Sequence, residues 1–305
     1  MRMQPRDIAL LVVLAILWGA SFCFARVALA ELPPLTVATM RFLLAGLVFV
    51  VVLRLSGLPL PRDLRSWRDF AVMGLLNNLI PFGLITLGQQ HITAGMASIL
   101  NSTAPLFSAL ITPLFLSEER FSAGRIGGVV LGVVGVMVLA GPAVWGVADY
   151  PALALLPGLA AALSYAFAAI WGVRFRGQSV RLVAGCQVMS AAALGLPLML
   201  AVDHAWVFRP SLEVWLALGG LALLTTVLGY LIYFRLLLRA GPTNALLVTF
   251  LIPPAASVME TFMFGASLPW LAIPAMLLIF AGIALVDGRP WGRLVALLTR
   301  RRMPA

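Results

Sequence analysis

Ten runs of about twenty mostly apolar residues follow one another along this 305-residue chain, separated by breaks too short to hold a soluble domain. A bilayer-spanning helix needs roughly 17 to 25 such residues, because in hydrocarbon each backbone N–H and C=O must find its partner within the segment. Charges and turn residues place the runs at 8–29, 35–53, 70–90, 94–116, 126–144, 152–173, 182–202, 214–238, 243–264 and 268–286. With 62% apolar and 10% charged residues, a water-soluble domain of this length could not hide its apolar surface. The expected fold is an all-α integral membrane protein with ten transmembrane helices. The apolar run after Arg2 and Arg6 is too long for a secretory leader and lacks a small-x-small cleavage site, so it reads as the first span.

The formal charge of +10 reports orientation, since no segment is polar enough to form a nucleic-acid-binding module. With the N-terminus inside, seventeen of the 21 basic residues fall in inner loops or tails; the outer loops hold Arg209, and Arg26, Arg41 and Arg235 lie within spans. Both termini are then cytoplasmic, in a multi-pass protein expected in a bacterial inner membrane. The arginines at 300–302 read as an orientation signal that touches lipid headgroups.

Several activities lack their residues. Cys23 and Cys186 stand alone in apolar stretches and read as packing residues. No loop of GxxxxGK type is present to cradle a nucleotide, and no HExxH occurs. His91 and His204 fall in turns, and no two carboxylates share a span, so an intramembrane enzyme finds no convergent catalytic set. No catalytic residue, metal or cofactor is expected. A channel would want rings of like charge or a carbonyl filter.

The stretch AGMASILNSTAPLFSALITPLFLSE from Ala94 aligns without gaps on PTNALLVTFLIPPAASVMETFMFGA from Pro242, an offset of 148. Pro105 falls on Pro253, Ala97 on Ala245, Asn101 on Thr249 and Phe82 on Tyr230; with a shift of one, Trp18 falls on Tyr165. Each half holds five spans, an odd number, so the second half enters the membrane from the opposite face. The expected organisation is two inverted five-helix repeats around a central cavity, residues 1–146 and 147–305. Inverted repeats suit a carrier, because one arrangement of halves opens inward and its near mirror opens outward.

The segments LWGASFCFARVAL, TVATMRFLLAG and TAGMASILNSTAPLFSALITPLFLSEERFSAGRIGGVVLGVVGVMVLAG, echoed by GYLIYFRLLLRAGPTNALLVTFLIPPAASVMETFMFG and LIFAGIALVD, carry a resemblance over essentially the whole chain. It resembles the drug/metabolite transporter superfamily, specifically the EamA-type ten-helix exporters. The resemblance implies a basket-like fold and export of small organic solutes, such as neutral or aromatic amino acids or related metabolites. Multidrug or lipophilic-cation efflux is the alternative. Members usually carry a Gly-Glu pair at the end of spans four and nine; here Glu118 has Ala266 as its counterpart, and Glu260 lies about a turn and a half earlier.

Polar groups in lipid turn toward the bundle interior or a wet cavity. In span four, Ser98, Asn101, Ser102, Pro105, Ser108 and Thr112 share one helical face, which is expected to line the pathway. Asn77, Asn78, Thr249 and Phe250 extend the expected substrate site, and Trp18, Phe82, Tyr165 and Tyr230 are its expected aromatic walls. Pro105 and Pro253 each remove a backbone hydrogen bond, either to gate and offer carbonyls to a ligand or to kink a helix for packing. Among the intramembrane charges, Glu260 is expected to pair with Arg41 as an outer gate or to accept a coupling proton, unless Arg26, Arg41 and Glu260 all snorkel to headgroups. The glycines at 124, 128, 132 and 135 invite close helix packing within the monomer. The expected partners are a small-molecule substrate and the lipid bilayer, with no nucleic acid.

Overall fold

A computed structural model describes residues 4–116, 121–147, 149–240, 247–266 and 268–287, and the described residues are helical with no strand. Eight helices are long and apolar enough to cross a membrane, and two shorter apolar helices follow. In chain order they are α1 (Pro5–Ala28), α2 (Pro34–Leu55), α3 (Leu64–Gly88), α4 (Ala94–Phe115), α5 (Ala123–Val144), α6 (Ala152–Phe175), α7 (Val180–Asp203), α8 (Leu212–Leu236), α9 (Val248–Phe264) and α10 (Ala272–Asp287). Glu118 and the arginines at 300–302 lie outside the described residues.

Local chemistry explains the ends. Pro5 and Pro34 occupy first-turn positions, where a missing N–H costs nothing. Thr93 caps α4 by accepting from Met96 N at 3.2 Å, and Gly265 ends α9 at φ +63°. The third helix starts at Leu64 rather than at 70, because Asp63 accepts from Ser66 N at 2.7 Å and caps an extra turn and a half. That stretch carries Arg65, Arg68 and Asp69 and reads as loop by hydropathy alone.

Two irregularities interrupt the spans. Pro105 has no N–H for the Asn101 carbonyl, and α4 splits into Ala94–Asn101 and Ala104–Phe115. The Ser102 and Thr103 hydroxyls donate to the Ile99 and Leu100 carbonyls at 2.7 and 2.6 Å, so the break does not leave those oxygens bare. Pro253 behaves differently: α9 runs through it unbroken, and Ser257 Oγ donates to the Pro253 carbonyl at 2.8 Å. In α3 and α8 the backbone widens to π-helix over Leu75–Leu79 and Gly220–Leu228. The first segment, shifted by 148, falls inside the second.

Packing follows small residues. On α5, an added Cβ at Gly128 or Gly135 would collide with α10 at Gly282, Val286 or Ile279, and one at Gly132 would strike Leu106 of α4. Contacts run from Gly124 near Leu285 to Gly135 near Ala275, so α5 and α10 are antiparallel. The α2/α7 pair is antiparallel too, Gly46 meeting Met189 and Gly185 meeting Phe49 and Leu53. The α1/α9 pair is parallel, Gly19 lying on Ala255 and Ala256 while Arg26 reaches Glu260. The α4/α6 pair is also parallel, with Leu100 at Gly158 and Phe115 at Phe167. The larger apolar core joins α1, α4, α6, α9 and α10, and a second one joins α2, α3, α7 and α8.

Candidate functional site: a central cavity closed at one end

Eight helices, all but α5 and α10, surround a cavity of about 420 Å³. Its walls bring together Trp18, Asn77, Phe82, Ser98, Asn101, Pro105, Tyr165, Tyr230 and Thr249, as the sequence reading expected. Trp18 is fixed by donating Nε1–H to the Thr225 carbonyl at 3.1 Å, in the π segment of α8, and packs 5.4 Å from the Tyr233 ring. Tyr230 and Tyr233 lie 5.9 and 5.6 Å from Phe234, completing an aromatic wall. Such ring clusters hold an apolar or aromatic body well.

Three expected members stand elsewhere. Asn78 is wholly buried behind the wall, where its Oδ1 accepts from the Tyr230 hydroxyl at 3.0 Å; it orients Tyr230 instead of facing the cavity. Phe250 turns to α10 and packs edge-on against Phe280 at 5.2 Å, because the residue after Thr249 is rotated about 100° around the helix from it. Pro253 is buried and is not among the cavity walls. Ser108 and Thr112, past the break in α4, also miss the cavity.

Gln187, absent from the sequence reading, lines the cavity and accepts from Asn77 Nδ2 at 3.1 Å. Its signal was available: it is a lone amide in the apolar span of α7, and such a group rarely faces lipid. Asn78 Nδ2 and Asn101 Oδ1 are buried without a protein partner among the described residues.

The expected Arg41–Glu260 pair does not form. Glu260, 1% exposed at the α1–α2 end of the bundle, pairs with Arg26 and accepts from the backbone N–H groups of Ala94 and Gly95 at 2.8 and 2.7 Å. The first turn of α4 offers unpaired N–H donors and a positive dipole end, which outcompetes a distant guanidinium. Glu260 therefore ties α1, α4 and α9 together. At the same end of the bundle, Gln89 Nε2 donates to the Phe22 carbonyl at 2.9 Å, and Asp203 accepts from Thr36 N and Oγ1, both at 2.7 Å. The cavity extends the other way, to Val180 and Val183 near the start of α7.

Arg41 instead lines the cavity, 5% exposed, donating Nε–H to Thr226 Oγ1 at 2.7 Å with its guanidinium 4.0 Å over the Phe82 ring. Among the described residues it makes no ion pair, and no cluster of His, Cys, Asp and Glu could hold a metal.

Apolar helices around a polar-and-aromatic hollow that is shut at one end define a membrane transport protein. The EamA-like transporter family matches residues 6–141 and again 152–287, and the chain belongs to that family as a multi-pass membrane transporter. Among similar proteins, the uncharacterized inner membrane transporter YedA of Escherichia coli (strain K12) is 29% identical over 92% of this chain and 90% of its own. The uncharacterized transporter YvbV of Bacillus subtilis is 28% identical over 93% and 92%. A probable terminal-alkyne amino-acid exporter of Streptantibioticus cattleyicolor is 28% identical over 93% and 94%. One crystal structure superposes over 99% of this chain and 100% of its own with a TM-score of 0.62 at 20% identity, a likeness of fold alone.

Proposed function

We propose that the chain is a secondary carrier of the bacterial inner membrane that exports small organic solutes, neutral or aromatic amino acids or related metabolites, by alternating access. The observation that carries this reading is the central cavity, closed at the α1–α2 end by the Glu260 tie and reaching toward the other end. In this reading residues 1–146 and 147–305 are inverted halves. Four things support it: one family matches the chain twice, the π segments correspond, and two helix pairings, α1/α9 with α6/α4 and α1/α8 with α6/α3, map onto one another when five is added to a helix number. The name of the Streptantibioticus relative supports the substrate class.

Trp18, Phe82, Tyr165 and Tyr230 grip the substrate body, and Asn77, Ser98, Asn101 and Thr249 supply hydrogen bonds. The break at Pro105 lets the two parts of α4 tilt separately. The Arg26–Glu260 pair is the gate at the closed end. The carrier works as a monomer, because the α5 glycines at 124, 128, 132 and 135 pack against α10 and Leu106 of the same chain.

Purified protein in liposomes, assayed with a panel of radiolabelled amino acids with and without a pH gradient, tests the reading. Flux that falls roughly tenfold or more in Tyr230→Ala and Asn101→Leu is expected. Flux indifferent to both substitutions removes the cavity from the account.

A further inference from the structure

A cavity within lipid carries a record of the charge of its cargo, since no bulk water screens what lines it. Among the described residues, Arg41 is the sole formal charge on the walls of this one. Its Nε is spent on Thr226 and its face on Phe82, which leaves the two terminal nitrogens, with four N–H donors, unmatched by any described residue. Among the described residues no carboxylate lies ready to neutralise it: Glu260 serves Arg26 and α4, Asp7 lies 3.3 Å from Arg239 at the other end, and Asp203 serves Thr36. A buried guanidinium without an internal counter-ion carries a desolvation cost, and an anion that joins it offsets that cost.

The converse holds for an amine. Among the described residues no acidic side chain lines the cavity, so an ammonium group finds ring faces and amide oxygens but no counter-charge. A hollow of about 420 Å³ is about 9 Å across if taken as a sphere, so a cation anywhere inside it feels Arg41 with little screening. Ring faces attract cations, but at close range in a low dielectric a like charge outweighs that attraction.

We propose that the cargo is a monocarboxylate with an apolar or aromatic body, its carboxylate held by the terminal nitrogens of Arg41, and that a free amine is dispensable. The inference rests on the carrier reading above and narrows its substrate class. N-acylated amino acids and aromatic carboxylic acids are then cargo on equal terms with amino acids. Amino-acid amides and lipophilic cations are not.

Three probes of one shape separate the charges: N-acetyl-L-phenylalanine (anion), L-phenylalanine (zwitterion) and L-phenylalaninamide (cation), each followed by flux into liposomes holding the purified protein. The expected order is anion at least equal to zwitterion, with the cation roughly tenfold or more slower. Arg41→Gln is expected to lower anion flux about tenfold and to narrow or reverse the preference over the amide, and Arg41→Lys to retain the anion preference in part. An amide carried as fast as the N-acetyl acid, or a charge preference unchanged in Arg41→Gln, overturns the inference and leaves the carrier standing. No flux of any probe overturns the carrier reading and this inference with it. Should Arg41→Gln not fold, the order of the three probes on the unaltered protein decides alone.

Discussion

Glu260 concentrates three helix ends on one buried carboxylate. Replacing it by Ala strands the N–H groups of Ala94 and Gly95 and leaves Arg26 without its carboxylate partner, at a cost of about 2 to 4 kcal/mol. The lower end of that range applies because the Arg26 side chain is 37% exposed and can reach headgroups or water. A thermal melt of the detergent-solubilised Glu260→Ala protein should show the loss, while Glu260→Gln, which keeps an acceptor, should lose less. At the same end, Glu31 on the α1–α2 connection is held below the usual carboxylate range by hydrogen bonds from Ser211, whose N–H lies 2.7 Å away. A lowered pKa means that this tie stabilises above the ordinary carboxylate value, about 4.3, and is lost as pH falls through the folded value. Melting temperature should therefore fall on acidification less in Glu31→Gln than in the unaltered protein. These pairings join residues 234 and 180 positions apart. That is why the polar character of Glu260 was legible and its partner was not: hydropathy tells which residues leave the lipid but not whom they meet.

At the scale of helices, the spans were legible because lipid admits few backbone solutions, and the glycine spacing of α5 was legible as a close-packing face. The π segments were not, since widening the turn by one residue depends on which carbonyl an N–H finds rather than on residue type. The start of α3 was hidden for a simpler reason: its first turn and a half is charged. The α5/α10 seam makes a sharp comparison. An added Cβ at Gly128 meets the Gly282 carbonyl and Val286, whereas one at Gly127 meets nothing within 4 Å. Gly128→Val should destabilise by about 1 to 3 kcal/mol, whereas Gly127→Ala, which adds a methyl to open space in a helix interior, should be neutral or stabilise by up to about 1 kcal/mol, both read by thermal melts. The break in α4 bears on movement. Pro105→Ala gives the Asn101 carbonyl a donor and lets the helix close, so it should slow transport without lowering the melting temperature.

For the whole molecule, half of the candidate site could be read from the chain because cavity walls are polar or aromatic where lipid-facing surface is not. Trp18, Asn101 and Tyr230 stood out on that ground, while Phe250 and Phe22 could not be told apart without the fold. Reporters fused after residue 146 and after residue 305 should sit on opposite sides of the membrane if the halves are inverted; the same side for both would end that reading. Counterflow tests the carrier itself most directly. Liposomes holding the protein are preloaded with unlabelled N-acetyl-L-phenylalanine, diluted, and given a trace of labelled compound outside. A site that faces one side at a time returns inward mostly with label, so the label should transiently accumulate above its external concentration; smooth equilibration without overshoot would contradict the account.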